Sequence, residues 1–171
     1  IMKIVMIFDQ GLAGAGGKSN PNQELAIAKG GIGSALMLKP HFDKVSANIV
    51  ATLYCGNEYF LKNEKEVVIK MTKMVEKIKP DMVVCGPCFN FEDYALMSAE
   101  IAKSIEENTD INVVAMMSKE NETTINNFKD KIDILKMPKK GGTGLSDSFD
   151  NLANYIDLKV NGKEINRENL Y

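Results

Sequence analysis

Short apolar runs punctuate the chain at Ile4–Phe8, Ile49–Leu53, Met82–Val84, Val113–Met117 and Ile132–Leu135. Most are rich in valine and isoleucine and lack polar–apolar alternation, the pattern of strands covered on both faces. Between them the period lengthens. Val67, Val68, Met71, Met74, Val75 and Ile78 recur at helical spacing, with Asn63 a candidate N-cap and Pro80 closing the segment. Tyr94, Met97, Ile101 and Ile105 form a second stripe, introduced by Asn90 with Glu92 and Asp93 in the first turn. Phe149, Leu152, Ala153, Ile156 and Val160 form a third, ended by Asn161-Gly162. Strands alternating with helices of this length predict right-handed βαβ units. The expected fold is a single three-layer, doubly wound α/β domain of Rossmann or flavodoxin-like type, with a mainly parallel sheet of about five strands.

The segment from Gly11 to Lys44 fits neither period. Seven glycines fall between Gly11 and Gly33, and Asn20-Pro21-Asn22 interrupts any helix. It reads as a flexible flap, with one or two helical turns over Ile32–Leu38 before Pro40. Ile1 precedes Met2 and reads as a vector remnant; Glu168-Asn169-Leu170-Tyr171 reads as the start of a cleavable tag. The domain is therefore expected over 2–166, with 167–171 set aside as a tag remnant.

Composition narrows the function classes. With 171 residues, 44% hydrophobic and 26% charged, the chain can bury one core. A net charge of −2 offers no field for nucleic acid or an anionic membrane. The apolar runs are strand-sized, far short of the ~20 residues of a membrane span. No secretory leader is recognised, and three cysteines without an even disulfide framework fit a reducing cytoplasm.

In open parallel sheets ligands bind beyond the carboxyl ends of the strands. The loops to inspect are Asp9-Gln10-Gly11, Cys55-Gly56-Asn57, Cys85-Gly86-Pro87-Cys88, Met117-Ser118-Lys119 and Lys139–Gly144. All three cysteines fall at this edge. Cys85-Gly86-Pro87-Cys88 has dithiol spacing ahead of a helix N-terminus, where a thiolate is stabilised. The same residues can instead form a tight Gly-Pro turn with cysteines packed as small hydrophobes. Metal ligation would need Cys55 to join them, with His41 as a fourth ligand, but paired knuckles are missing and no metal is expected. His41, the only histidine, is expected on a solvated turn after Pro40.

Gly17-Lys18-Ser19 invites a phosphate-loop reading, but Leu12 stands where that motif needs glycine, and Asn20-Pro21 follows where its helix should grow. Lys139-Lys140-Gly141-Gly142-Thr143-Gly144-Leu145-Ser146 is a better anion candidate: a Gly-rich turn leading into a helix presents free N–H groups to a carboxylate or phosphate. A solvated surface turn is the equal alternative. The mixed charges from Lys62 to Lys79, including the Glu66–Lys70 pair, read as a solvated helix face.

Three ordered segments carry a resemblance: Ala13-Gly14-Ala15-Gly16-Gly17; Val50-Ala51-Thr52 with Cys55-Gly56-Asn57 and Tyr59-Phe60; and Lys79-Pro80-Asp81 leading to Gly86-Pro87 and Phe89-Asn90. Together they resemble the N-terminal region of the selenoprotein B family of glycine/sarcosine/betaine reductase, over roughly Ile4 to Gly162. The resemblance implies a cytoplasmic complex of amino-acid-fermenting anaerobes that reductively cleaves the C–N bond of glycine or an N-methylated glycine. Component B binds the substrate and passes a carboxymethyl group to a small selenoprotein carrier. The family's redox-active selenocysteine or cysteine lies in a C-terminal half beyond the matched region, so this chain is not expected to be catalytically complete alone.

On this reading the chain supplies part of a small amino-acid site and holds no cofactor. Its partners are other reductase subunits and the carrier, with homo-oligomerisation left open. Gly142, Thr143 and Gly144, with Gly14, Gly16 and Gly17, would hold the carboxylate. Asn57, Tyr59 and Asn90 would orient the substrate, Gly56, Gly86 and Pro87 would also bind it, and Cys55, Cys85 and Cys88 would lie alongside as candidate catalytic thiols. Two other classes compete: a thiol–disulfide protein using Cys85 and Cys88, and a non-catalytic assembly domain.

Overall fold

A computed structural model describes all 171 residues. The apolar runs become β1 (Met2–Asp9), β3 (Ala47–Cys55), β4 (Met82–Cys85), β5 (Asn112–Met117) and β6 (Ile134–Lys136), all parallel to their neighbours among these five. A sixth strand, β2 (Ala26–Lys29), joins antiparallel to β3, giving the order β2-β3-β1-β4-β5-β6. Ile4 to Phe8 of β1 are buried without interruption, so both faces of the central strand are covered.

The helices fall into two contacting sets. One comprises α2 (Asn57–Lys62), α3 (Glu64–Ile78), α4 (Glu92–Asn108) and α5 (Glu122–Phe128); the other pairs α1 (Lys39–Asp43) with α6 (Leu145–Val160). The predicted stripes are the buried ones: Val67, Met71 and Val75 on α3; Tyr94, Met97, Ile101 and Ile105 on α4; Phe149, Leu152 and Ile156 on α6. Helix α3 ends where Lys79 takes a left-handed conformation (φ 54°) ahead of Pro80. Asn63 does stand at its N-cap, but its amide donates to Tyr59 O (2.9 Å) instead of capping.

Several expectations are corrected. The sheet has six strands because Ala26–Lys29 alternates half-buried with exposed positions and is too short and alanine-rich to register as an apolar run. The Gly11–Lys44 segment thereby contributes a strand to the sheet; it also contains short 3-10 helices at Gly17–Ser19 and Gly33–Met37, and helix α1. His41 is not on a solvated turn. Its side chain is 12% exposed, its Nδ1 lies 2.7 Å from Asp150 Oδ1, and its ring meets Phe149 edge-on at 5.5 Å. Nor do residues 167–171 lie apart from the fold. Arg167–Asn169 forms a 3-10 turn, Leu170 is buried and bridges to Leu135, and Tyr171 donates from its N–H to Ile134 O (3.1 Å) and from its hydroxyl to Met117 O (2.9 Å). Residues 167–171 cover the β6 edge.

No helix is long and apolar enough to cross a membrane.

Candidate functional site

In the sheet β1 lies between β3 and β4, parallel to both, so the loops after the three strands share one edge of the sheet. A cleft of about 1000 Å³ opens there. This is at the upper end of ordinary small-molecule sites, ~300–1,000 Å³.

Its floor begins where β1 stops. Asp9 is 7% exposed; its backbone carbonyl accepts from Ala13 N (3.1 Å) and its Oδ1 from Leu12 N (2.8 Å), closing the turn. Burial raises the Asp9 carboxyl above its ordinary range, against the opposing pull of the Leu12 and Gly11 amides. The next residue spans the crevice. Gln10 Nε2 donates to Asn57 Oδ1 (3.1 Å), and the Asn57 N–H donates back to Gln10 Oε1 (3.0 Å), so the loops after β1 and β3 are clasped by a reciprocal amide pair. Gly56, just before Asn57, has ordinary dihedrals (φ −70°, ψ 147°). Its role is close approach: a Cβ there would lie 2.0 Å from Pro21 O and 2.7 Å from Gln23 N.

The far wall is the loop after β4. Gly86 (φ 139°) packs so tightly that a Cβ would lie 2.6 Å from Met116 O, and the Gly86–Pro87 peptide is cis. Cys88 N donates to Met116 O (2.9 Å). Phe89 follows at φ 50°, a left-handed conformation that costs a residue with a Cβ roughly 1–2 kcal/mol. Its carbonyl accepts from Ser118 N (3.0 Å), Ser118 Oγ (3.0 Å) and Asn121 Nδ2 (2.7 Å). The Phe89 and Phe91 rings sit 6.0 Å apart, the Lys140 ammonium lies 5.9 Å from the Phe91 ring centre, and Asn90 Oδ1 accepts from Lys140 N (3.0 Å).

Of the expected site residues, Gly17, Asn57 and Asn90 line the cleft. Gly14, Gly16, Gly56, Tyr59, Gly86 and Pro87 do not, and Gly142, Thr143 and Gly144 are exposed on the loop after β6, from which only Lys140 reaches in. Sequence reasoning pointed to the loops or segments that hold Asp9, Gln10, Lys18, Phe89 and Lys140 without choosing them as site residues, and gave Phe91 and Glu120 no role. Their signal was positional: each lies in or beside a loop following a strand of the sheet. Lys18 was set aside together with the failed phosphate-loop pattern.

The cysteines do gather at the carboxyl edge, Cys55 ending β3 and Cys85 ending β4, but behind the cleft. All three are wholly buried and unbridged. Cys55 Sγ lies 3.7 Å from Met97 Sδ, and Cys88 Sγ donates to Ser98 Oγ (3.2 Å). Burial pushes the Cys55 thiol up to about 12, with the Asp9 charge adding to it, and moves Cys85 and Cys88 upward too. The expected stabilisation of a thiolate ahead of α4 is thus outweighed by desolvation.

What this geometry defines is an α/β domain whose cleft, carrying both signs of charge and two phenyl rings, opens at the carboxyl edge of a mainly parallel sheet. The comparisons carry the assignment further. A family model described as glycine/sarcosine/betaine reductase selenoprotein B matches residues 1–170, and the chain belongs to that family. It is similar to the sarcosine reductase complex component B subunit beta of Peptoclostridium acidaminophilum (28% identical over 162 residues, 95% of this chain and 36% of the relative). It is also similar to the glycine reductase complex component B subunit gamma of Symbiobacterium thermophilum (30% over 120 residues, 70% and 28%). A third is the betaine reductase complex component B subunit beta of Peptoclostridium acidaminophilum (27% over 119 residues, 70% and 27%). The chain spans about a third or less of the length of these relatives. No solved structure matches it.

Proposed function

We propose that this chain is a substrate-binding domain of an amino-acid reductase complex, taking glycine or an N-methylated glycine into the cleft between β1, β3 and β4. The observation that carries this reading is the cleft's mixed lining: the acids Asp9, Glu92, Asp93 and Glu120, the lysines Lys18 and Lys140, the amides Gln10, Asn57 and Asn90, and the neighbouring rings of Phe89 and Phe91. A zwitterion needs both signs within a few ångströms, and a methylated ammonium gains from aromatic faces. In this arrangement the carboxylate is held by Lys18, Lys140 and the Gly17 backbone, and the cationic nitrogen faces the buried Asp9 carboxylate. A doubly wound reading of the sheet, in which ligands gather where the strand order reverses, supports a site in this cleft.

The cleft is much larger than a two-carbon amino acid. This supports a site completed by other parts of the reductase, with reductive C–N cleavage performed elsewhere in the complex and the carboxymethyl group handed to a selenoprotein carrier. The buried thiols of Cys55, Cys85 and Cys88 pack the domain in this reading.

Thermal unfolding with glycine, sarcosine or betaine tests it. At ten times Kd a ligand stabilises by about 1.4 kcal/mol, which for a chain of this size raises Tm by about 3–6 °C. Acetate and trimethylamine, each half of the zwitterion, should shift it far less. No shift with any of the three amino acids at tens of millimolar would overturn the proposal.

A further inference from the structure

The geometry points to Asn121 and Ser118 as positioning residues of the cleft: neither lines it, yet together they hold Phe89 in the left-handed conformation that sets its aromatic wall. The inference rests on the reading of the cleft as the ligand site.

Asn121 stands at the N-cap of α5, a position where asparagine ordinarily accepts from the helix's own amides. Here it makes no side-chain cap bond. Instead its Nδ2 donates to Phe89 O (2.7 Å) and to Ser118 O (3.2 Å). Its Oδ1 is buried without a partner. Turning the amide over would aim that oxygen at two carbonyls, so the orientation is dictated by the Phe89 loop, and the orphaned acceptor is the consequence. Ser118, wholly buried, adds its N–H and hydroxyl to the same carbonyl. Three donors on one oxygen exceed what a turn requires.

Phe89 does not favour φ 50°, so its conformation persists only because the surroundings over-determine it. From Phe89 the constraint passes to the cleft: its ring meets Phe91, Phe91 lies beside the Lys140 ammonium, and Asn90 accepts from the Lys140 backbone. Releasing the latch therefore lets the wall turn over without touching any residue that lines the opposite side.

The test uses the whole chain with labelled phenylalanine rings. Wild type should show a Phe89–Phe91 ring NOE. Asn121→Ala, and the near-isosteric Asn121→Asp that lacks both donors, should weaken it at least threefold while the core rings of Phe42 and Phe60 keep their shifts. Sarcosine or betaine affinity should fall about tenfold. Ser118→Ala, which keeps the amide bond, should give an intermediate loss and serves if the Asn121 variants do not fold. In a Phe89→Gly background, where φ 50° is unstrained, the destabilisation by Asn121→Ala should shrink by at least half. A ring contact left intact by Asn121→Ala, or an undiminished destabilisation in the glycine background, would overturn the inference and leave Asn121 a purely structural residue. If wild type binds no amino acid but the ring contact still depends on Asn121, the ligand reading fails and the latch stands.

Discussion

Replacing Gly56 by alanine isolates one steric fact about the site. The new Cβ would meet Pro21 O at 2.0 Å, Pro21 C at 2.4 Å and Gln23 N at 2.7 Å, all backbone atoms that cannot rotate away. The loop carrying Pro21 and Gln23 must lift from the start of α2. Three hydrogen bonds cross that contact: Gly56 N to Gln23 O (2.8 Å), Glu58 N to Pro21 O (2.9 Å) and Tyr59 N to Pro21 O (3.1 Å). At about 1 kcal/mol net for each bond, the loss is about 3 kcal/mol. For a chain of this size that lowers Tm by about 6–12 °C. Urea unfolding followed by circular dichroism measures it, with Gly11→Ala as the matched control. There the nearest atom to a Cβ is Asp9 Oδ1 at 3.4 Å, ordinary contact, and the change should stay within about 0.5 kcal/mol. Equal effects of the two substitutions would refute the argument, because only Gly56 has backbone atoms within 3 Å of the added Cβ.

Asp9 gives a pH prediction. Burial raises its folded-state carboxyl above its ordinary value, so the folded chain keeps this proton to higher pH than the unfolded chain does, and the stability present at low pH falls as pH rises through the raised value. Asp9→Asn keeps an acceptor for Leu12 N and should gain stability over wild type between acid and neutral pH, matching it at low pH, while losing amino-acid binding; a pH-independent difference in urea midpoint would contradict this. The thiols should be silent: a disulfide dye at neutral pH should titrate well under one of the three cysteines in native protein and all three after denaturation, and rapid native labelling would show that the burial is wrong. Removing Leu170 and Tyr171 strips a buried leucine and two hydrogen bonds from the β5–β6 edge, an expected loss of about 2–4 kcal/mol in the same urea assay.

How far these features could be read in the sequence follows from what each kind of signal encodes. The five parallel strands and the stripes on α3, α4 and α6 were legible because continuous burial leaves an apolar record at fixed spacing. Strand β2 left none: an edge strand buries half of one face, and Ala26 and Ala28 do so with a methyl group each. His41 and Asp150 lie 109 residues apart, so nothing local announces their pairing. At the site, the rule that ligands gather beyond strand ends located the right loops. It did not distinguish side chains facing the cleft from those facing the core. Cys55 and Cys85 end strands and Cys88 follows β4, yet all three are buried, whereas Gln10, in no motif, and Lys140, read only as part of a glycine-rich turn, line the opening. Gly56 was recognised as special, but as a ligand contact; its actual demand comes from Pro21, a neighbour that only the folded chain supplies.

The Gln10–Asn57 clasp has an evolutionary corollary. Gln10 uses both ends of its side-chain amide, whereas Asn57 gives its side-chain oxygen and its backbone N–H, so a lone change at Gln10 strands a donor and an acceptor and a lone change at Asn57 strands the Gln10 Nε2 donor. Across the lineage a change at Asn57 should be accompanied by one at Gln10, a co-inheritance visible in aligned sequences.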